Sequence, residues 1–462
     1  MKSLIVPVYC NRSKAGNLRL LRQFADRHDI GLVAIANRHD DVLERFFDDV
    51  LVVGFSRRSD VRDAFSAWAG SHGGTAGVFC LGEDEVPLCA DLSALTGLPG
   101  NDAKSALMSR SKHAMRLALR DTGMPMPRSF PVPSLAEARR LLRDEFAGGR
   151  AFLKPVIGTG SMHCREIACE DDLAAAWPEL FEASRATAAA DPLYREVFGA
   201  GYFMLLEDLI GTFGLPSESV LGSRFPVHEL SVEAVVDGGR AYVYGITDKL
   251  LPPGANGREH MWRSSRLPAK LRRTLRQRVS DIVAAFGLRL GAVHAEFRIE
   301  PARERGDAVI GGVPVQATFL EAAARMGGAY MQSFWLRCTG FDAISWLASQ
   351  ACGLPVDPPA ITVAHPAIMV NLWPAASGTL RGVSGLDELR AVAGRYLDEV
   401  VVYDEIGDRV EGGPGAERGI GHVAFRDTGV NECTDPRSSA DASYDRLERL
   451  YLHAHDHVRG LT

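Results

Sequence analysis

Residues 291–299 read GAVHAEFRI, and further along the chain residues 315–321 read VQATFLE. Successive side chains of a strand point to opposite faces. The first stretch therefore sends His294, Glu296 and Arg298 to one face, and Val293, Ala295, Phe297 and Ile299 to the other. Paired as neighbouring antiparallel strands, the two stretches bring Glu296 and Glu321 close together. Two adjacent carboxylates repel unless a cation lies between them. Hard oxygen donors of this kind suit Mg²⁺, which commonly keeps waters and phosphate oxygens as its other ligands. Taken alone, two such carboxylates are more often the surface residues of a solvated hairpin.

Upstream, residues 154–161 read KPVIGTGS and follow an apolar strand at 151–155. Gly158 and Gly160 let the backbone approach a ligand closely and turn successive N–H groups toward an anion. Lys154 adds a point charge and Ser161 a hydroxyl donor. A plain glycine turn has the same composition, and neither GxxxxGK[ST] nor a complete GxGxxG occurs here. Lys112 opens an amphipathic pattern within a helix expected over 104–122, which Gly123, Pro125 and Pro127 stop. Lys249 ends a strand that contains Gly245, Ile246, Thr247 and Asp248. Lysines in such positions are most often solvated.

The remaining pattern organises the chain around these residues. In the first ~100 residues, apolar runs at 4–8, 32–36, 50–53 and 77–81 alternate with helical spacing, as at 17–26, which indicates a parallel α/β unit. Helices are expected at 134–146 and twice within 171–200, with Pro178 and Pro192 as breakers. A strand follows at 203–206, and the Gly-, Pro- and Ser-rich stretch 211–226 reads as a surface loop. Strands at 230–236 and 241–247 join through Asp237, Gly238 and Gly239, a hairpin signal. Leu271, Leu275, Val279, Ile282 and Phe286 mark one face of a helix over 268–286. Toward the end, 435–443 reads as flexible and 444–458 as a final helix.

With 462 residues, the chain has length for about three structural units. Apolar residues make up 46% and charged residues 24%, which excludes a disordered chain, a coiled coil or a collagen-like rod. The net charge is −6 and no dense Lys/Arg block occurs, so nucleic acid is not an expected partner. The eight cysteines include no CxxC pair, which argues against a zinc site and fits a reducing compartment. The opening MKSLIVPVYCN lacks the features of a signal peptide. No run reaches the ~18 apolar residues that span a bilayer. A cytoplasmic protein with no membrane partner is the expectation.

The order of the motifs adds more than any one of them. It runs Lys112, Lys154 with its glycine loop, Glu207–Asp208–Leu209–Ile210, Glu229–Leu230–Ser231–Val232–Glu233, Lys249, Glu296, and Glu321 with Arg325. This series resembles the ATP-grasp superfamily. It is most similar to carboxylate–amine ligases of the L-amino-acid ligase type, with D-alanine–D-alanine ligase a more distant relative. The resemblance covers most of the chain. It implies an α/β and α+β multidomain fold: a Rossmann-like α/β domain over 1–101, the small or lid part of an ATP-grasp fold over 102–205, its large part with the metal site over 206–340, and a C-terminal lobe over 341–462.

The resemblance also implies roles. Lys112 and Lys154 would hold ATP phosphates from the small part, with Gly158, Gly160 and Ser161 as a lid loop over them. Glu207 and the backbone through Leu209 would form the hinge that reads adenine, and Glu229 would bind the ribose hydroxyls. Lys249 would reach the phosphates from the large part, as one catalytic group. Arg325 would be the other, binding the substrate carboxylate or acyl phosphate. Glu296 and Glu321 would hold Mg²⁺ or Mn²⁺. Glu259 would take the substrate's amino group, and His294, beside Glu296, would contact metal or substrate unless it is a structural histidine. Two departures stand out. Ala323 occupies the position where the family often has Asn, and the 211–226 loop separates the hinge from Glu229.

The implied reaction activates a carboxylate as an acyl phosphate and joins it to an amine, with small-molecule acid and amine substrates of amino-acid type and ADP and phosphate as products. Homodimers are common in the resembling family. The alternatives are another reaction on the same scaffold, such as activation of bicarbonate or formate, and a module that binds ATP without catalysis. Trp262 and Trp373 read as packing residues, and Cys338 and Cys352 as core.

Overall fold

The computed structural model describes residues 2–8, 15–147, 149–160, 162–199, 201–211, 227–250, 261–302, 306–328, 330–374, 376–412, 419–435 and 437–462. Ser161, Glu259 and nearly all of the 211–226 loop lie outside the described residues.

The N-terminal part is a four-stranded sheet in the spatial order Asp49–Val52, Gly31–Ala36, Ser3–Val8, Thr75–Val78, and its pairings are parallel. Parallel strands need covered faces. Helix Ala15–His28 lays Leu18, Leu21, Phe24 and Ala25 on one side, and helices Arg58–Ala69 and Val86–Thr96 bring Val61, Phe65, Leu88 and Leu92 to the other. The fourth strand ends at Val78, short of the 77–81 run.

A second four-stranded sheet is antiparallel, in the order Ser129–Val132, Met204–Glu207, Ala151–Pro155, Arg165–Ile167. Helices Leu135–Phe146 and Glu170–Ala189 close its core with Leu142, Leu173 and Trp177. Pro178 does not break the second helix but lies inside it. Trp177 stacks on Phe181 at 5.0 Å, and Phe181 packs edge-on against Tyr202. These contacts hold the turns on either side of the proline, so tertiary packing overrides its local cost.

The helix expected over 104–122 is two helices, Ala103–Met108 and Lys112–Leu119. The break has a local cause. The Ser111 hydroxyl accepts a hydrogen bond from the Ala114 N–H at 3.3 Å and caps a new N-terminus, the arrangement that favours serine there. Lys112 thereby becomes the first residue of the second helix.

The largest sheet has nine strands in the order Ala308–Ile310, Val313–Ala323, Gly291–Pro301, Val227–Asp237, Arg240–Leu250, Met261–Ser264, Ala367–Leu372, Gly421–Arg426, Leu397–Val402. Helix Ala269–Phe286 covers one face with Leu271, Leu275, Val279, Ile282 and Phe286, all buried. Each such side chain contributes roughly 1.5–3 kcal/mol of burial. On the other face, Trp262 and Tyr244 pack with Phe334, Trp335 and Ile344 and with Leu4, Leu18 and Phe24 of the N-terminal part in one continuous core. The C-terminal helix runs from Arg437 to His457, so residues 437–443, expected to be flexible, are helical. Among the described residues no helix is long and apolar enough to cross a membrane.

Candidate active site

The site face of the large sheet is set by register. Glu296 is the direct partner of Glu321 on one side and of Ser231 on the other. His294 stands opposite Glu233 and Ala323, and Lys249 opposite Glu229. A register shift after Glu296 marks a bulge in the Glu296–Glu321 ladder. Bulges re-aim a side chain at such points.

Glu229, Glu296, Glu321 and Glu207 are each met by a lysine. Lys249 Nζ lies 2.5 Å from both Glu296 Oε1 and Glu229 Oε1. Lys112 Nζ lies 3.1 Å from Glu321 Oε2 and donates to the Gly158 carbonyl at 2.8 Å, so the helix that begins at Lys112 is tied to the glycine loop. Its own N–H donates to the Val156 carbonyl. Gly158 and Gly160 have φ of 138° and 63°, the region that favours glycine. Lys154 Nζ lies 2.5 Å from Glu207 Oε2, and Arg116 holds the same carboxylate through Nε and Nη2 at 3.1 and 3.2 Å. Lys112, Lys154, Lys249 and Glu207 are all buried.

These contacts shape the titration of the site. Burial works against the charged form of Glu207, but Arg116 and Lys154 outweigh it and bring its pKa down to about 2. Burial also opposes ionisation of Glu296, and Lys249 and His294 reverse that, holding it well below the ordinary carboxylate range. Its neighbour Glu229 is pushed up, by burial first and then by Glu296. Burial disfavours the His294 imidazolium, yet Glu233 and Glu296 raise its pKa to about 9. Lys112 is likewise raised by Glu321 and Glu83 against burial. Lys154 goes the other way: burial, with Arg116 and Lys112 nearby, lowers it although Glu207 is in contact. An added anion would relieve that crowding of cations.

The structure thus brings Lys112, Lys154, Gly158, Glu207, Glu229, Lys249, His294, Glu296 and Glu321 into one linked set of contacts. Leu209 follows the strand that ends at Glu207, and the Asp208 N–H bonds the Arg128 carbonyl. Arg325 stands at the edge, donating through Nε and Nη2 to Glu83 Oε2 at 3.1 and 2.7 Å and through Nη1 to the Met326 carbonyl.

Sequence reasoning gave four residues no role, although Arg298 and Glu233 lie in the stretches it quoted. Arg116 sits one turn after Lys112 on the same helix, a spacing that could have revealed it. Arg298 shares the face of Glu296 and donates to the Ile210 carbonyl at 2.9 Å, next to Leu209. Glu83, in the acidic run Glu83–Asp84–Glu85, resembles a solvated loop but joins Arg325 to the fully buried Arg110. Glu233 is completely buried beneath His294.

No protein-family model matches the chain, and no curated protein sequence matches it. Solved structures do. An L-amino acid ligase from Bacillus licheniformis superposes with a TM-score of 0.71 at 17% identity, covering 100% of this chain and 99% of that one. N5-carboxyaminoimidazole ribonucleotide synthetase from Thermotoga maritima gives 0.64 at 15% identity, with both chains covered in full. A biotin carboxylase from Campylobacter jejuni gives 0.61 at 14%, covering 92% of this chain and 87% of that one. From its N-terminal α/β sheet to its C-terminal helix, the chain has the fold of the ATP-grasp superfamily.

Proposed function

We propose that the protein is an ATP-dependent, ADP-forming ligase that activates a carboxylate as an acyl phosphate and joins it to an amine, with amino acids as substrates. The observation that carries this reading is the register pairing of Glu296 with Glu321, met by two buried lysines from separate elements, Lys249 and Lys112, with the buried Lys154 on Glu207 nearby.

The donor set fits a divalent cation. Two carboxylates on adjacent strands are a usual protein share for Mg²⁺, whose remaining ligands are waters and phosphate oxygens. Among the described residues no group of three His, Cys, Asp or Glu side chains is placed to hold a metal, so waters and phosphate oxygens would have to complete the ion's shell. The buried Ser231 hydroxyl, beside Glu296 in register, has no hydrogen-bond partner among the described residues. Glu296 and Glu321 would hold the ion, which when bound would neutralise charge between the terminal phosphates.

The chain's own residues supply the rest. A carboxylate is a poor acyl donor because its charge repels nucleophiles and it offers no good leaving group. Phosphorylation gives it a leaving group, and phosphoryl transfer depends on in-line positioning and charge neutralisation. Lys112 and Lys154 would meet the phosphates from one side and Lys249 from the other, in a site where buried cations act strongly. The backbone after Glu207, braced by Arg116, Arg128 and Arg298, would seat the base. The loop at Gly158 and Gly160 would close over the phosphates and keep water from the acyl phosphate. Arg325, with its planar fork, suits a carboxylate. It also borders a cavity whose walls are mainly apolar, among them Phe79, Val86, Ala292 and Leu347, with Ser93, Asn101 and Gln350 as polar members, which favours an acid whose side chain is largely apolar.

The test is a phosphate-release screen with Mg-ATP over pairs of amino acids. Release that requires two amino acids, one of them apolar, is expected. Release that instead requires bicarbonate or formate would move the protein to another reaction of the same fold. Nucleotide binding without turnover on any panel would make it a binding module.

A further inference from the structure

Glu233 is fully buried, and among the described residues its bonding partners are an imidazole and a backbone N–H. Its two oxygens are both committed. Oε1 lies 2.7 Å from His294 Nδ1, and Oε2 accepts the Gly327 N–H at 3.2 Å. The other nitrogen of His294, Nε2, lies 3.0 Å from Glu296 Oε1. Gly327 is two residues beyond Arg325, whose Nη1 bonds the intervening Met326 carbonyl. One buried carboxylate therefore reaches Glu296 through an imidazole and the Arg325 turn through a backbone N–H.

Gly327 shows how tightly this junction is built. A Cβ there would sit 2.9 Å from Glu233 Oε2, 2.9 Å from Met331 Cγ and 3.1 Å from His294 Nδ1. Only a residue without a side chain lets its N–H approach Glu233 so closely. Burying a carboxylate and an imidazole together is costly, and an apolar pair would often be at least as stable. The same geometry is what a ligand-orienting partner needs. An outer group that fixes the rotamer of a metal-binding side chain acts on metal affinity without touching the metal.

We propose that Glu233 is the positioning residue of this site. Through His294 it fixes the Glu296 carboxylate, and through Gly327 it fixes the turn that carries Arg325, so that the cation side and the acid side keep a constant separation. This rests on the ligase reading above, in which Glu296 holds a divalent ion with the nucleotide.

The test uses binding rather than turnover. Mn²⁺ affinity in the presence of saturating ADP is measured by electron paramagnetic resonance, ADP affinity in EDTA by calorimetry, and melting temperature alongside, for wild type, Glu233→Ala, Glu233→Gln and His294→Asn. Glu233→Ala should weaken Mn²⁺ by roughly 10- to 100-fold and leave metal-free ADP binding unchanged. Glu233→Gln can still accept from Gly327 and donate to a neutral His294, and should recover most of the loss. His294→Asn keeps a bond to Glu233 but no longer reaches Glu296, and should reproduce the loss even where Glu233→Ala does not fold. Equal losses of Mn²⁺ and metal-free ADP binding, or wild-type Mn²⁺ affinity in folded Glu233→Ala or His294→Asn, would overturn the proposal alone. Wild-type protein whose ADP binding ignores Mn²⁺ would overturn the ligase reading and the proposal with it.

Discussion

Glu296 and Glu321 are partners in one antiparallel register, yet each is held by a lysine from a different element, Lys249 for the first and Lys112 for the second. Lys249 comes from a strand of the same sheet, and Lys112 from the start of a helix that also grips the glycine loop. The carboxylate pair is thus already balanced by the cations assigned here to the phosphates, and a nucleotide with its ion would exchange one set of opposite charges for another.

Glu321→Gln is the most direct test of that arrangement. The side chain is partly exposed, so its loss should leave the fold intact. Phosphate release should fall by about a hundredfold or more, the scale seen when one group that stabilises transition-state charge is removed. Near-normal turnover at an unchanged melting temperature would refute the role assigned to Glu321.

Glu207 predicts a pH effect with a definite sign. Its pKa in the folded protein is about 2, below the ordinary value of 4.5. A depressed carboxylate stabilises the fold at pH values above its unfolded pKa, and that contribution disappears as pH falls through the folded pKa. Here the window is pH 4.5 down to 2, and the full contribution is about 3 kcal/mol. Glu207→Gln should be less stable than wild type at neutral pH, and the gap between the two should narrow across that window. Parallel curves from pH 5 to pH 2 in chemical denaturation would contradict the buried Arg116–Glu207–Lys154 ion pairs.

The sequence made the centre of the site legible because its signals are local. GAVHAEFRI and VQATFLE alternate with period two and lie near each other in the chain, so their pairing and the meeting of Glu296 with Glu321 could be read directly. The outer sheet could not. Met261–Ser264 pairs with Ala367–Leu372 across some hundred residues, and nothing in four residues selects so distant a partner. The same applies to Glu83, whose partner Arg325 lies 242 residues further along the chain, and to Glu233, which looks like one more strand residue until the His294 strand lies beside it. Local signals also misled. The apolar spacing across 104–122 runs through a break that a single serine cap imposes, and Pro178 looked like a terminator until aromatic packing was in view.

Gly158→Ala tests the loop. At φ 138° a side chain is strained whatever space surrounds it, at a cost on the order of 1–3 kcal/mol. The added Cβ would meet only Pro155 Cγ at 3.6 Å, an ordinary contact, so the effect comes from the backbone. Because the Gly158 carbonyl receives the Lys112 ammonium, the strain should appear as a higher KM for ATP together with a fall of a few degrees in melting temperature. A Gly158→Ala enzyme with wild-type KM would separate this loop from nucleotide binding.

Arg263 is wholly buried and joins two carboxylates, Asp248 Oδ2 and Glu448 Oε1, each at 2.7 Å. It thereby ties the C-terminal helix to the strand that presents Lys249, one residue beyond Asp248. Arg263→Met would leave two acidic groups buried without a counter-charge, which costs about 3–5 kcal/mol and should lower the melting temperature by several degrees. Replacing all three residues by apolar ones, Arg263→Met with Asp248→Leu and Glu448→Leu, removes the uncompensated charges and should restore most of the stability, since a buried ionic cluster is seldom better than good apolar packing. If the cluster also fixes the end of the Lys249 strand, the triple variant should recover its melting temperature but keep a raised KM for ATP. Recovery of both together would make the cluster a purely structural anchor, and recovery of neither would mean that its hydrogen-bond geometry, more than its charge, holds helix and strand together.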